Sequence, residues 1–184
     1  MPALQLDKVL EHAHRVVAGR VVNEQLVGGG AHVREAHHRV HASGVPWNDP
    51  SGDRLRDWTG LEKKAFYNPA KTALVPMGFC YPGKGSNGDL PPRPECAPLW
   101  HERILSLLPA DRLTLLVGSY AQACYLPKAT NLSLTERVQA FASFGASVIP
   151  LPHPSWRSAI WMKRNPWFES DVLPALREAV RLHL

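Results

Sequence analysis

No stretch of this 184-residue chain approaches the roughly 18 apolar residues of a membrane span. Its amino end also lacks the basic, apolar and small-residue order of a secretory signal, so a cytoplasmic protein with no membrane partner is expected. Cysteine is scarce: Cys80, Cys96 and Cys124 cannot all pair within one molecule, and none sits in a C-x-x-C. Reduced thiols follow. Acidic residues are in deficit, 16 against 21 lysines and arginines, and the net charge of +5 favours an anionic partner. There is no G-x-x-x-x-G-K-[ST] run, so Gly28-Gly29-Gly30 reads as a connection rather than a phosphate cradle. A G-x-S-x-G elbow is missing too, which disfavours a serine hydrolase using Ser119 or Ser155 with His153.

The chain is long enough for one domain with a substantial core. Leu4, Leu6, Val9, Leu10, Ala13 and Val17 recur at three and four spacings and predict a helix over residues 4–17. Periodicity then fades up to residue 41, where His32, His37, His38 and His41 gather. His37 and His41 have helical i,i+4 spacing, but no acid or cysteine completes a metal set. From Ser43 to Gly52 turn formers dominate, and Trp47 stands between prolines in a loop. A helix starting near Ser51 or Gly52 should place Leu55 and Trp58 inward, turn Arg54 and Arg56 elsewhere and stop at Gly60.

Residues 72–79 read as a buried strand interrupted by Pro76. The loop YPGKGSNGDLPPRPE follows, with its three glycines and four prolines. Next comes a helix from Cys96 to Leu108 with Trp100, Ile104, Leu107 and Leu108 on one side. LTLLVGS at 113–119 is a run of parallel-strand type, turning at Gly118-Ser119 into a short helix. Ser133-Leu134-Thr135-Glu136 offers a capping box for a helix running through Phe141. Val148, Ile149 and Leu151 suit a strand that Pro152 and Pro154 end, leaving His153, Ser155, Trp156 and Arg157 on the loop beyond. In the last helix, from about Pro166 to Leu182, Phe168, Val172, Leu176 and Val180 recur every four residues. Strands alternating with helices give a three-layer α/β/α sandwich on a mainly parallel sheet.

Four stretches, in this order, carry a resemblance: RVHASGVPWNDPSGDRLRDW, MGFCYPGKGSNGDLPPRPECAP, LTLLVGSYAQ and LPHPSWRSAIWMKRNPWFESDVLPAL. Together they resemble the uracil-DNA glycosylase superfamily, most closely the bacterial branch grouped around the iron–sulfur type, over Arg39 to Leu184. The resemblance implies a monomeric DNA-repair hydrolase that flips a damaged base, uracil or another deaminated base, out of single- or double-stranded DNA and cleaves its N-glycosidic bond. His153 would bond the base carbonyl as charge grows there, and Glu35 would position the water. Trp47, Asn48 and Met77 would hold the base, Trp47 by stacking. Ser155, Trp156, Arg157, Lys163, Arg164 and Lys84 would meet the DNA.

Residues 1–38 are expected to be a divergent N-terminal part of the same domain, and residues 39–184 its glycosylase-like part. The family's Gly-Glu-Ala-Pro-Gly loop has no full counterpart, since Val33-Arg34-Glu35-Ala36-His37-His38 stands in its place. A strand of good apolar quality is missing before it. ALVPMGF carries no Asn to read a base edge, and only Cys80 and Cys96 match cluster ligands. No cofactor is expected, because a four-iron cluster takes four thiolates. A DNA-binding relative that has lost catalysis with the first motif is the alternative.

Overall fold

Along Leu113–Val117 the side chains alternate: Leu113, Leu115 and Val117 join one apolar cluster and Leu116 another. A strand buried on both faces needs helices on both faces, and this alternation sets the layers of the molecule. The structure is a computed structural model that describes residues 21–23, 45–79, 82–86, 88–129 and 131–184, with the backbone alone at 21–23, 84, 88 and 89. The helix expected over 4–17, the histidines from His32 to His41, the glycine triplet, Glu35 and Cys80 lie outside the described residues.

The described strands are β1 (Val21–Asn23), β2 (Thr72–Leu74), β3 (Lys84–Gly85), β4 (Gly88–Asp89), β5 (Leu113–Val117) and β6 (Val148–Leu151). The helices are α1 (Pro50–Thr59), α2 (Lys63–Phe66), α3 (Cys96–Leu105), α4 (Ser119–Tyr125), α5 (Leu134–Gln139), α6 (Trp156–Arg164) and α7 (Leu173–Leu182). Four strands form one parallel sheet in the order β2-β1-β5-β6, while β3 and β4 make a separate antiparallel pair. The order reverses beside β1. A crevice at the carboxyl ends of the strands, where the order reverses, is the usual ligand position in such sheets.

On one face of the sheet, Leu113, Leu115, Val117, Ile149 and Leu151 meet Trp47, Leu55, Trp58, Val138, Phe168, Leu176 and Val180. That layer holds α1, α5 and α7. On the other face, Ala73 and Val75 meet Trp100, Ile104 and Leu108, and Leu116 meets Met77, Ala121 and Leu126. The fold is therefore the expected α/β sandwich on a parallel sheet. Trp58 and Phe168, both buried, pack edge to face at 5.0 Å between centroids, which favours this pairing beyond the area it buries.

Local chemistry explains the element ends. Asp49 caps α1 by accepting from the Gly52 amide at 2.8 Å, with Pro50 in the first turn. Gly60 closes the helix at φ 68. The Ser133–Glu136 capping box forms as expected. The helix it starts stops at Gln139, short of Phe141, which opens a 3-10 turn.

Several expectations need correction. The second strand covers only Thr72–Leu74, because Pro76 supplies no amide to a ladder. The third helix ends at Leu105, so Leu107 turns outward, 44 % exposed, while Leu108 folds in. A first strand exists after all, at Val21–Asn23 between β2 and β5. Trp156 and Arg157 open α6 rather than lying on a loop. Arg56, expected to point away, is buried.

Candidate active site

The carboxyl ends of β5 and β6 come together around Gly118 and His153. The Gly118 amide donates to the Leu151 carbonyl at 2.9 Å, carrying the sheet register one step past β5. Gly118 has φ 93, and a Cβ there would lie 3.6 Å from the His153 Cβ. Positive φ and close approach both favour glycine at this turn. Gln122, fully buried on α4, donates from Nε2 to the Leu151 carbonyl at 2.8 Å, fixing the strand end two residues before the imidazole.

His153 is half-buried, and its ring stacks on Trp47 at 5.7 Å with 29° between planes. Trp47 has φ 59, a left-handed conformation that a bulky side chain adopts only when its surroundings impose it. Those surroundings are visible. Arg56 donates to the Trp47 carbonyl at 3.2 Å and to the Tyr67 hydroxyl at 3.2 Å, and it pairs with Asp53. Tyr67 in turn donates to the Pro46 carbonyl at 2.8 Å. Burial, set against the nearby Arg56 charge, raises the Tyr67 phenol above its ordinary range, so it stays a neutral donor. Any side chain at Gly52 would meet the Trp47 carbonyl at 1.8 Å.

From α1, Arg54 Nη1 reaches the loop His153-Pro154-Ser155, the HPS loop, and donates to the Pro154 carbonyl at 3.0 Å and to the Ser155 carbonyl. The sequence placed Arg54 only as pointing away from Leu55 and Trp58; its partners lie 100 and 101 residues on. His101 was missed as well. It interrupts the buried stripe of Trp100, Ile104 and Leu108, and an imidazole inside an apolar stripe is the signal that marks it. Its Nε2 bonds the Pro76 carbonyl at 3.0 Å and its Nδ1 the Tyr125 hydroxyl. Since a carbonyl only accepts, the Nε2 carries the proton and the Tyr125 hydroxyl donates to Nδ1. Burial lowers the His101 pKa and keeps the ring neutral.

The sequence-derived candidates fall into groups. His153, Trp47, Ser155 and the half-buried Asn48 belong to the two loops just described. The Trp47 ring is 0 % exposed, with His153 on one side, and its indole nitrogen is buried with no hydrogen-bond partner among the described residues. Met77, 6 % exposed, packs in the cluster of Leu116 and Ala121 behind the sheet. Trp156, half exposed, carries the Arg157 guanidinium 5.3 Å above its ring, and Lys163 and Arg164 are exposed in the last turn of α6. Lys84 lies in β3, its side chain outside the description, and Glu35 lies outside it entirely.

The residues present do not fit a four-iron cluster. Cys96 is buried at the start of α3 and Cys80 is not among the described residues, and two thiols fall short of four ligands. Among the described residues no group of three or more His, Cys, Asp or Glu is placed to hold a metal ion, and no helix is long and apolar enough to cross a membrane.

A parallel sheet with a reversed strand order, a glycine turn beside an imidazole at its carboxyl edge and cationic side chains on the helix beyond suit an enzyme of nucleic acid. The family model of the Uracil DNA glycosylase superfamily matches residues 33–177, which include both loops, β2, β5, β6 and α1 to α6. The chain thus belongs to the uracil DNA glycosylase superfamily, whose members act on DNA.

Proposed function

We propose that the protein is a DNA-repair N-glycosyl hydrolase of the branch near the iron–sulfur type, working without a cofactor as a cytoplasmic monomer, with residues 39–184 as its glycosylase-like part. One observation carries this reading: His153 sits at the carboxyl end of β6 against Gly118 and is backed by Trp47. The bond from the base nitrogen to C1′ breaks with its electron pair leaving on the base, and water supplies the oxygen to C1′ while one of its protons ends on the released base. Negative charge grows on the base carbonyl as this happens. His153 donates to that oxygen, and a donor held in place before the charge develops is worth about 3 to 4 kcal/mol in the transition state.

Trp47 serves from beneath, as the surface that holds the imidazole, and Asn48 offers the polar contact to a base edge. Trp156 is the wedge that fills the space left by the flipped base, an extrusion that costs a few kcal/mol. Standing at the start of α6, it enters on a rigid element. Arg157, Lys163 and Arg164 neutralise phosphates along the same helix. Glu35 is the water-positioning carboxylate, so Glu35→Gln should remove cleavage and leave DNA binding intact.

Oligonucleotides carrying uracil, hypoxanthine or xanthine, incubated with the protein and then treated with alkali, should break at the lesion and nowhere else. Binding without breaks on all three would sink the hydrolase reading and leave a DNA-binding relative.

A further inference from the structure

We propose that Arg54 is a positioning residue for His153, holding the HPS loop at the angle in which the imidazole meets the base; this rests on the glycosylase reading above. The loop has few backbone donors of its own. Pro152 and Pro154 have no amide hydrogen, so between β6 and α6 only His153 and Ser155 bring backbone donors. The Ser155 amide is used within the turn, donating to the His153 carbonyl at 2.8 Å. Ser155 also provides no side-chain cap to α6.

What fixes the far side of the loop comes from outside it. Arg54 Nη1 has two hydrogens and two acceptors, the Pro154 and Ser155 carbonyls, on the residues directly after the imidazole. The Ser155 carbonyl also accepts from the amide and hydroxyl of Ser158. A cation at the amino end of a helix opposes the helix dipole, so Arg54 gains nothing there from the dipole of α6. The two carbonyls explain its place.

Arg54 and Arg56 divide one task. Two residues apart on α1, they point in nearly opposite directions. Arg56 holds the Trp47 carbonyl and Arg54 holds the loop whose imidazole lies on the Trp47 ring. Both halves of the His153–Trp47 stack are thus referenced to the same helix. Errors of about 1 Å in such a group cost on the order of a hundredfold in rate.

The test uses the full chain in single-turnover cleavage of a uracil-containing oligonucleotide, comparing Arg54→Met, Arg54→Lys, His153→Ala and the double variant Arg54→Met/His153→Ala. Arg54→Met should slow cleavage by on the order of a hundredfold. Arg54→Lys should recover part of the rate, since an ammonium reaches the carbonyls without the rigid fork. In the His153→Ala background the Met substitution should have no further effect, because its action passes through the imidazole. The dependence of DNA binding on salt should keep its slope. Flattening by about 0.9 would make Arg54 a phosphate contact and overturn the proposal. An equal slowing in both backgrounds would overturn it too.

Should the wild-type chain cleave nothing, the glycosylase reading fails by itself. Arg54 is then read from the His153 ring resonances by NMR: they should move in Arg54→Met and stay in Arg103→Met, which removes an exposed arginine that lies over the Trp100 ring on α3, and resonances unmoved in both would overturn the positioning role. If thermal unfolding shows Arg54→Met unfolded, Arg54→Lys carries each comparison.

Discussion

The exits of β2 and β6 start from the same punctuation and are secured by different chemistry. Both strands stop where prolines remove backbone donors, at Pro76 in one case and at Pro152 and Pro154 in the other. The β6 exit is tied by a permanent cation, Arg54, and by the stack on Trp47. The β2 exit is tied by a neutral imidazole, His101, whose two ring nitrogens join the Pro76 carbonyl to the Tyr125 hydroxyl. An arginine anchor holds at any pH a protein survives, whereas a buried histidine anchor holds only while it stays neutral. The arginine anchor of the loop that carries the proposed reacting group is therefore insulated from pH, and the histidine anchor of its counterpart is not.

Substitutions should break this asymmetry in order of size. His153→Ala removes the group that the β6 exit exists to present. Single-turnover cleavage should fall by roughly a hundredfold or more with DNA binding nearly unchanged. If binding weakens as much as it does in Arg157→Ala, the HPS loop is a phosphate clamp without a transition-state role. Gly52→Ala comes next. Alanine in a helix usually helps, but here the methyl group meets the Trp47 carbonyl. The loop must move, and chemical denaturation should show a loss of about 3 kcal/mol.

At the β2 exit, Tyr125→Phe leaves the His101 Nδ1 buried without its donor and should cost about 1 to 3 kcal/mol. The acid response sharpens the contrast further. Because the folded His101 has a lowered pKa, the unfolded chain binds the proton more readily. Stability is thus fully present above the unfolded value of about 6.5 and is lost as pH falls from there towards the folded value. Urea titrations across that window should show the loss in the wild type and a smaller one in His101→Gln. The smallest effect belongs to the surface: Arg157→Ala should flatten the log-log dependence of DNA affinity on salt by about 0.9.

Long apolar strands and local caps were legible in the sequence because their signals are local. β5, β6, the Ser133 helix start and the Gly60 stop each rest on a few neighbouring residues. The stripe Phe168, Val172, Leu176, Val180 was legible too, although its spacing of four exceeds the α-helical period. The structure opens this segment with a π-helical turn at Phe168–Val172, and all four residues are buried. β1 was invisible because three residues are too few to show alternation, and its place comes from two parallel neighbours far along the chain. The partners of Arg54 and Arg56 were out of reach for a related reason. Sequence spacing told which way they leave the helix, but not that chain elements met later would be waiting there.

The link from Arg54 to Pro154 has a consequence in time. Residues 47–56 can form their turn and helix early, but the acceptors they await are 100 residues further on. At a synthesis rate of about 5 to 20 residues per second, that gap lasts roughly 5 to 20 s. During it the Trp47 ring has no imidazole to cover it, and a large apolar surface stays open on the growing chain. Contacts between residues so distant in sequence also form slowly in free refolding. The His153–Trp47 stack should therefore mature late, appearing only after the sheet has accepted β6.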